Sequence, residues 1–236
     1  MNKRFAIWFF VLGLGLLLSS FILASVLQPP RPIVAFIYFW SSINVFVMAI
    51  GYWSLGPSVL AKQSSGRLPL LRAVFFFPLI TACFLIWRTC RLLRKEDAFG
   101  WVDKELCVGR RLANNEPHPE ADVVVDLTAE MNEPSTLRRM GIYVSLPILD
   151  GSVPPLGSLI ETIDALPEGS VYVHCAQGHG RTTLFTIALL SRSGRITGVE
   201  EGLALIQKVR SGAKVNRCQR RFLNEAYDAL VDSPKP

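Results

Sequence analysis

The first 95 residues contain no aspartate and no glutamate. All 19 acidic residues lie at or after Glu96, whereas ten of the 25 basic residues precede it. The N-terminal part therefore carries +10, and the 15 basic and 19 acidic residues that follow give −4. Cations that border uncharged apolar runs are typical of membrane segments. The net charge of +6 comes from these flanks, so it does not indicate a nucleic-acid surface.

Cysteine is scarce and irregularly placed. The chain has five cysteines, with no Cys-x-x-Cys pair and no regular spacing, which argues against a disulfide framework and against a zinc site. Cys83 and Cys90 lie in or beside an apolar segment, where cysteine usually packs as a small hydrophobic residue. Only Cys175 has neighbours that suggest chemistry.

Charged residues are also few, at 19%, while 50% of the chain is hydrophobic and the mean hydropathy is +0.32. Residues 5–27 and 33–55 are uncharged and long enough to cross a hydrocarbon core of about 30 Å. A cleaved signal peptide is the alternative for the first, but its apolar run exceeds the usual length. Residues 68–87 are interrupted by Arg72 and Pro78, so they either span with Arg72 snorkelling or lie re-entrant or interfacial.

Residues 88–95 then supply four cations, a basic collar suited to an anionic leaflet. We therefore divide the chain into a membrane region, 1–95, and a domain, 96–236. If all three apolar segments span, the nine flanking cations are divided almost equally between the two sides of the membrane. If only the first two span, eight of the nine lie on the side that holds both chain ends. We expect a multi-pass protein of the bacterial inner membrane whose domain is cytoplasmic, where a reactive thiolate also stays reduced.

The second half has the composition of an ordinary domain. Short apolar runs predict strands at 106–108, 122–127, 142–146 and 170–174, and helical spacing predicts helices at 155–166, 182–191, 199–210 and 217–231. Strands that alternate with helices predict an α/β fold with a mostly parallel central sheet flanked by helices.

Residues 171–182 place Cys175 at the end of a buried strand, before a loop with two glycines that runs into a helix. Loop amides and the helix N-terminus form an anion cradle, in which a thiolate is favoured and can attack phosphorus. The fork of Arg181 can hold two phosphoryl oxygens, and the Thr182 hydroxyl is placed to donate to the thiolate. The loop positions expected to contact the phosphate are Ala176, Gln177, Gly178, His179 and Gly180.

The run His174-Cys175-x5-Arg181-Thr182 resembles the H-C-x5-R-[ST] signature of the cysteine-dependent protein-tyrosine and dual-specificity phosphatase superfamily. The resemblance covers most of residues 100–231 and none of the membrane part. It implies a dual-specificity phosphatase-like fold, a phosphocysteine intermediate, and no metal or cofactor. Lysines that inositol-lipid phosphatases carry in this loop are absent, which disfavours a multiply phosphorylated headgroup.

The resemblance also implies a general acid upstream of the cysteine. Asp150, 25 residues before Cys175 in a turn after a predicted strand, is the best match. Asp126 is the rival, but strand-end hydrogen bonding explains it better. His174 is expected to orient the loop through hydrogen bonds.

A phosphatase domain joined closely to a bilayer suggests a phosphorylated lipid as substrate. Within this superfamily, the chain most resembles the membrane phosphatases that act on phosphatidylglycerophosphate. We expect the substrate pocket to lie within residues 96–236. The alternatives are a membrane-tethered protein phosphatase acting on a phosphoprotein, a non-catalytic phosphate-binding module, and a rhodanese-like sulfurtransferase. The basic residues of the C-terminal part either meet anionic headgroups or only solvate a helix face; they are Arg210, Lys214, Arg217, Arg220 and Arg221.

Overall fold

A five-stranded sheet forms the centre of the C-terminal half. The computed structural model describes residues 2–27 and 29–231. The strands are β1 (Phe99–Trp101), β2 (Leu106–Arg110), β3 (Val123–Thr128), β4 (Ile142–Ile148) and β5 (Val171–Cys175). Their order in the sheet is β1-β2-β5-β3-β4, and every neighbouring pair is parallel except β1 with β2. The predicted mostly parallel α/β sheet is therefore confirmed.

The middle strand, β5, pairs with β2 on one side and with β3 on the other. Val173 lies opposite Val108 and Val125, and all three are fully buried. Near-continuous apolar runs are expected where helices cover both faces of a parallel sheet. The carboxyl ends of β2, β3 and β5 meet at one edge, and Cys175 ends β5 there.

Helices cover this sheet, and the four long ones lie where the periodicity predicts them. The helices of this half are α5 (Leu137–Met140), α6 (Leu156–Asp164), α7 (Gly180–Arg192), α8 (Val199–Val209) and α9 (Arg217–Val231). α7 is central, since it packs against β5 and against both α8 and α9.

Two long apolar helices begin the chain and pack as an antiparallel hairpin. Phe9 stacks on Tyr52 near one end, and Ser20 donates its hydroxyl to the Ala35 carbonyl near the other. By length and composition both could cross a membrane; they run over Lys3–Val26 and Pro32–Val59. Their regular parts are α1 (Lys3–Phe21) and α2 (Pro32–Ile50), extended by turns of π-helix at Ile22–Val26 and Gly51–Leu55 and a 3₁₀ turn at Gly56–Val59.

The third apolar segment is broken into α3 (Leu70–Phe75) and α4 (Phe77–Leu93). Pro78, in the first turn of α4, lacks an amide hydrogen, so it cannot continue the hydrogen bonding of α3. The Phe75 carbonyl instead accepts hydrogen bonds from the side chains of Trp40, at 2.8 Å, and Asn44, at 2.9 Å. Asn44 therefore joins α2 to the end of α3.

Both ends of this segment contact the sheet domain. The Leu68 amide donates to Asn132 Oδ1 at 2.6 Å, and the Arg94 guanidinium lies 2.6 Å from His179 Nδ1. The segment thus leaves the domain and returns to it.

The two halves pack tightly together. An apolar cluster joins Tyr52, Leu60 and Phe76 of the first half to Ala129 and Leu149 of the second. Lys62, between α2 and α3, lies 2.5 Å from the Asp126 carboxylate at the end of β3, and both side chains are fully buried. Residues before and after the compositional boundary at Glu96 therefore share one packed interface.

Candidate active site

The loop between β5 and α7 surrounds the sulfur of Cys175. The Cys175 side chain is buried, and the Gly178 amide donates to Sγ at 3.3 Å. Gly178 has φ +73°, and a Cβ there would lie 2.5 Å from the Gly109 carbonyl. Only glycine can therefore place this amide beneath the sulfur without moving β2.

Arg181 is buried in the first turn of α7, and two carboxylates hold its guanidinium. Its two terminal nitrogens each donate to Glu130 at 2.8 Å, and one also donates to the Ile148 carbonyl at 2.9 Å. The second carboxylate, Asp150, lies 3.3 Å away. Burial alone would raise the pKa of Glu130, but Arg181 outweighs it and holds that pKa below its ordinary value. The guanidinium is fixed as a charged fork.

Glu130 was not identified from the sequence. It follows β3 by two residues, while Arg181 follows β5 by six, and no spacing relates the two. Only the side-by-side pairing of β3 with β5 brings their carboxyl ends together.

Asp150 lies in the turn after β4, at the mouth of the site. Its side chain is 76% exposed, so it can reach a bound substrate. Asp126 is fully enclosed, accepting hydrogen bonds from Lys62, Thr128 and Tyr143. Burial would raise the pKa of Asp126, yet Lys62 holds it well below its ordinary value, so this carboxylate is poorly suited to donating a proton.

The other two motif residues are Thr182 and His174. The Thr182 hydroxyl donates to the Gly109 carbonyl at 3.4 Å rather than to the sulfur. The His174 ring makes no hydrogen bond of ordinary geometry within residues 2–27 and 29–231, but the Cys175 backbone interacts with the ring and favours its protonated form. Its ring stacks on Tyr172 and lies 3.5 Å from Glu133, beneath the loop. Burial lowers the pKa of His174 to about 4, so the ring is neutral.

One potential ligand atom each from Asp126, Glu133 and His174 lies within 4.8 Å of the others. Such a cluster can hold a metal ion, but the ammonium of Lys62 already lies against Asp126. Burial and the charge of Asp126 raise the pKa of Glu133 well above its ordinary value. Lys62 thus already supplies a positive charge to this cluster, and the Arg111 guanidinium lies 3.7 Å from Glu133.

The outer side of the loop is braced by Glu96, at the start of the domain, and by Arg210, after α8. Glu96 accepts from His179 at 2.7 Å and from Arg210 at 3.0 Å, and Arg210 also donates to the Gln177 carbonyl at 3.0 Å. Arg210 is only 1% exposed. The headgroup alternative is therefore wrong for Arg210, which positions the loop. On the surface, Arg220 pairs with Glu200 and Arg221 with Glu225.

A cavity of about 510 Å³ lies over the loop. Cys175, Ala176, Gln177, His179, Gly180 and Arg181 contribute to one side of it. The expectation that the pocket belongs to the domain alone is wrong, because the first half supplies much of the lining. Those residues are Phe5, Phe9, Met48, Tyr52, Leu60, Leu79, Cys83, Ile86, Trp87 and Arg94.

No protein-family model and no curated protein matches the sequence. The chain is similar to several solved structures, each over most of that structure's length. Tk-PTP in its active form is 23% identical over 56% of this chain and 97% of that chain, with a TM-score of 0.49. PTPMT1 in complex with PI(5)P is 19% identical over 58% and 98%, with a TM-score of 0.46. Human DUSP28 is 18% identical over 55% and 96%, with a TM-score of 0.48.

Proposed function

We propose that the chain is a membrane-bound phosphatase that hydrolyses a phosphate monoester through a phosphocysteine intermediate. The observation that carries the proposal is the pairing of Cys175 and Arg181 beneath one cavity. The Nε of Arg181 is buried and has no hydrogen-bond partner among the described residues. A phosphoryl oxygen above Cys175 would satisfy this donor, since a buried unpaired N–H is costly.

The reaction follows from these positions. The Cys175 thiolate attacks phosphorus, the bond to the leaving alkoxide breaks, and Asp150 gives that alkoxide its proton. Asp150, now a carboxylate, takes a proton from water as the water oxygen attacks phosphorus. The S–P bond breaks, inorganic phosphate forms, and the Gly178 amide stabilises the departing thiolate. Arg181 stabilises the charge that develops on the phosphoryl oxygens at both steps.

We infer that the substrate is a membrane phospholipid, with phosphatidylglycerophosphate as the leading candidate. The support is the shared lining of the cavity, in which the catalytic loop faces side chains from the two apolar helices and from α4. Ala176 and Gln177 lack the charge that a multiply phosphorylated headgroup would need. A single terminal phosphate is therefore favoured.

We also propose that both chain ends lie in the cytoplasm of a bacterium. Asn2, before α1, donates to the Gly151 carbonyl at 3.0 Å, and Tyr52, after α2, donates to the Asp150 carbonyl at 2.9 Å. The hairpin thus presents both of its outer ends to the catalytic domain, with Arg31 at its far turn. Eight of the nine flanking cations then lie on the side of the domain, as expected for the cytoplasmic face.

The substrate is tested with the full-length protein in vesicles. Phosphatidylglycerophosphate should exceed phosphotyrosine peptides in kcat/KM by at least about a hundredfold, which corresponds to about 2.7 kcal/mol. Remote contacts with the true substrate supply this difference, because both substrates present the same phosphoryl group. If phosphopeptides match or exceed the lipid, the membrane-tethered protein phosphatase replaces the lipid assignment. Binding of both without phosphate release would favour the non-catalytic module.

A further inference from the structure

The cavity over Cys175 has two chemically different sides. Its floor is polar and carries the cation Arg181, with Lys214 also in the lining. The opposite wall is mainly apolar. It comes from the α1–α2 hairpin and from α4, through Phe5, Phe9, Met48, Tyr52, Leu79, Cys83 and Ile86.

We propose that this apolar wall binds the hydrocarbon portion of the substrate next to its phosphate, so that α1, α2 and α4 determine which esters are hydrolysed. The inference rests on the proposed phosphatase function and adds to it a binding site outside the phosphate loop. The volume of about 510 Å³ lies within the usual range of small-molecule sites.

The arrangement fits an amphiphile better than a polar ligand. An apolar side chain that faces a water-filled cavity gains stability when a hydrocarbon displaces that water. Ile86 is 58% exposed in the chain although it lines the cavity. A phosphate ester with an alkyl or acyl portion would place its anion on Arg181 and its hydrocarbon against Ile86 and its neighbours.

The wall is held at a fixed distance from the catalytic groups. Tyr52 donates to the backbone of Asp150, the expected acid, at 2.9 Å. On the opposite side, the Trp87 indole donates to the Arg111 carbonyl at 3.3 Å, and Arg94 lies 2.6 Å from His179 of the phosphate loop. Because both parts of the wall are tied to the loops that carry the chemistry, a chain seated there would orient the phosphate for attack.

The test uses the full-length protein in phosphatidylcholine vesicles and a series of monoalkyl phosphates from methyl to octyl. We expect kcat/KM to rise by up to about fourfold for each methylene that the cavity buries, and then to level off. Partition into the vesicle also favours longer chains, so variants separate the two effects. Ile86→Trp fills the cavity and should lower the octyl-to-methyl ratio of kcat/KM by at least about tenfold.

Leu85→Trp is the matched control, because Leu85 is the preceding residue of α4, is 55% exposed and does not line the cavity. It should keep the wild-type ratio to within about twofold. Cys83→Phe, on the same wall, replaces Ile86→Trp if that variant does not fold. If Ile86→Trp and Leu85→Trp give equal octyl-to-methyl ratios of kcat/KM, and both still hydrolyse methyl and aryl phosphates, the proposed hydrocarbon site is overturned but the phosphatase function is not. Loss of hydrolysis of every ester by the wild type would overturn the proposed function and this inference with it.

Discussion

At the scale of single residues, Glu130 and Asp150 contact the Arg181 guanidinium in different ways. Glu130 accepts two hydrogen bonds from the guanidinium and its side chain is only 14% exposed, so it fixes the fork in place. Asp150 lies 3.3 Å from the same fork but is mostly exposed. An exposed carboxylate at the mouth can turn between the arginine and a leaving group, whereas the enclosed Glu130 cannot.

Asp150→Asn tests this assignment of the acid. An asparagine cannot donate its proton to an alkoxide, so turnover of alkyl phosphates should fall by about a hundredfold or more. An aryl phosphate should lose less than about tenfold, because its leaving group departs without protonation. Steady-state kinetics of both substrates checks the prediction. An equal loss on both would move the acid role to another group.

The residue scale also shows where sequence reasoning ends. Cys175 and Arg181 were predicted to meet because a strand, a short loop and a helix start are continuous in sequence. Glu130 was not predicted, since its contact depends on β3 lying beside β5. The contact of Thr182 differs from expectation because Gly109, its neighbour, comes from a distant part of the chain.

At the scale of elements, one buried ion pair connects the N-terminal apolar helices to the sheet. Lys62 lies in the linker between α2 and α3, and it donates to Asp126 and to Thr128 at the end of β3. Both charges are out of water, so each depends on the other. The linker is therefore bound to the same sheet edge that carries Cys175.

Lys62→Met should destabilise the protein by about 3 to 5 kcal/mol, because it leaves the Asp126 charge buried without its cation. In a chain of this size, that loss lowers the thermal midpoint in detergent by about 6 to 20 °C. Arg67→Met is the control, since Arg67 is an exposed cation of the same linker and should shift the midpoint by less than about 2 °C.

The double variant Lys62→Met/Asp126→Asn should recover part of the loss, because it removes the unpaired charge. A midpoint for Lys62→Met equal to that of Arg67→Met would show that the ion pair contributes little.

Element positions were well predicted where the apolar pattern is strong. The four long helices of the domain and strands β2 to β5 lie close to their expected places. β1 was missed because three residues with one glycine carry no periodic signal. The break at Phe76 was indicated by Pro78, but the return of α4 to the domain depends on contacts such as Trp87 with Arg111.

At the scale of the whole molecule, the two halves share one site. The amino-acid composition changes at Glu96, where the acidic residues begin. This change does not mark a boundary of the cavity, which is lined by residues from both halves. The lining from α1, α2 and α4 was unpredictable, since it requires the hairpin to dock on the turn after β4.

The proposed topology is checked by alkaline phosphatase fusions in a bacterium, which are active only in the periplasm. A fusion after Pro30, at the far turn of the hairpin, should be active, and a fusion after Lys95 should be inactive. The expectation follows from the flanking cations and from the docking of both hairpin ends on one domain. Activity after Lys95 would place the catalytic domain outside and refute the topology.

The central claim is that Cys175 forms and breaks a bond to phosphorus. The most direct measurement is phosphate release from phosphatidylglycerophosphate by full-length Cys175→Ser in vesicles, beside Cys218→Ser, which removes a cysteine of α9. A serine hydroxyl in this cradle is a poor nucleophile at neutral pH, so Cys175→Ser should lose at least about a thousandfold in kcat while still binding the lipid. Cys218→Ser should retain the wild-type rate. Comparable rates for the two variants would contradict the phosphocysteine mechanism.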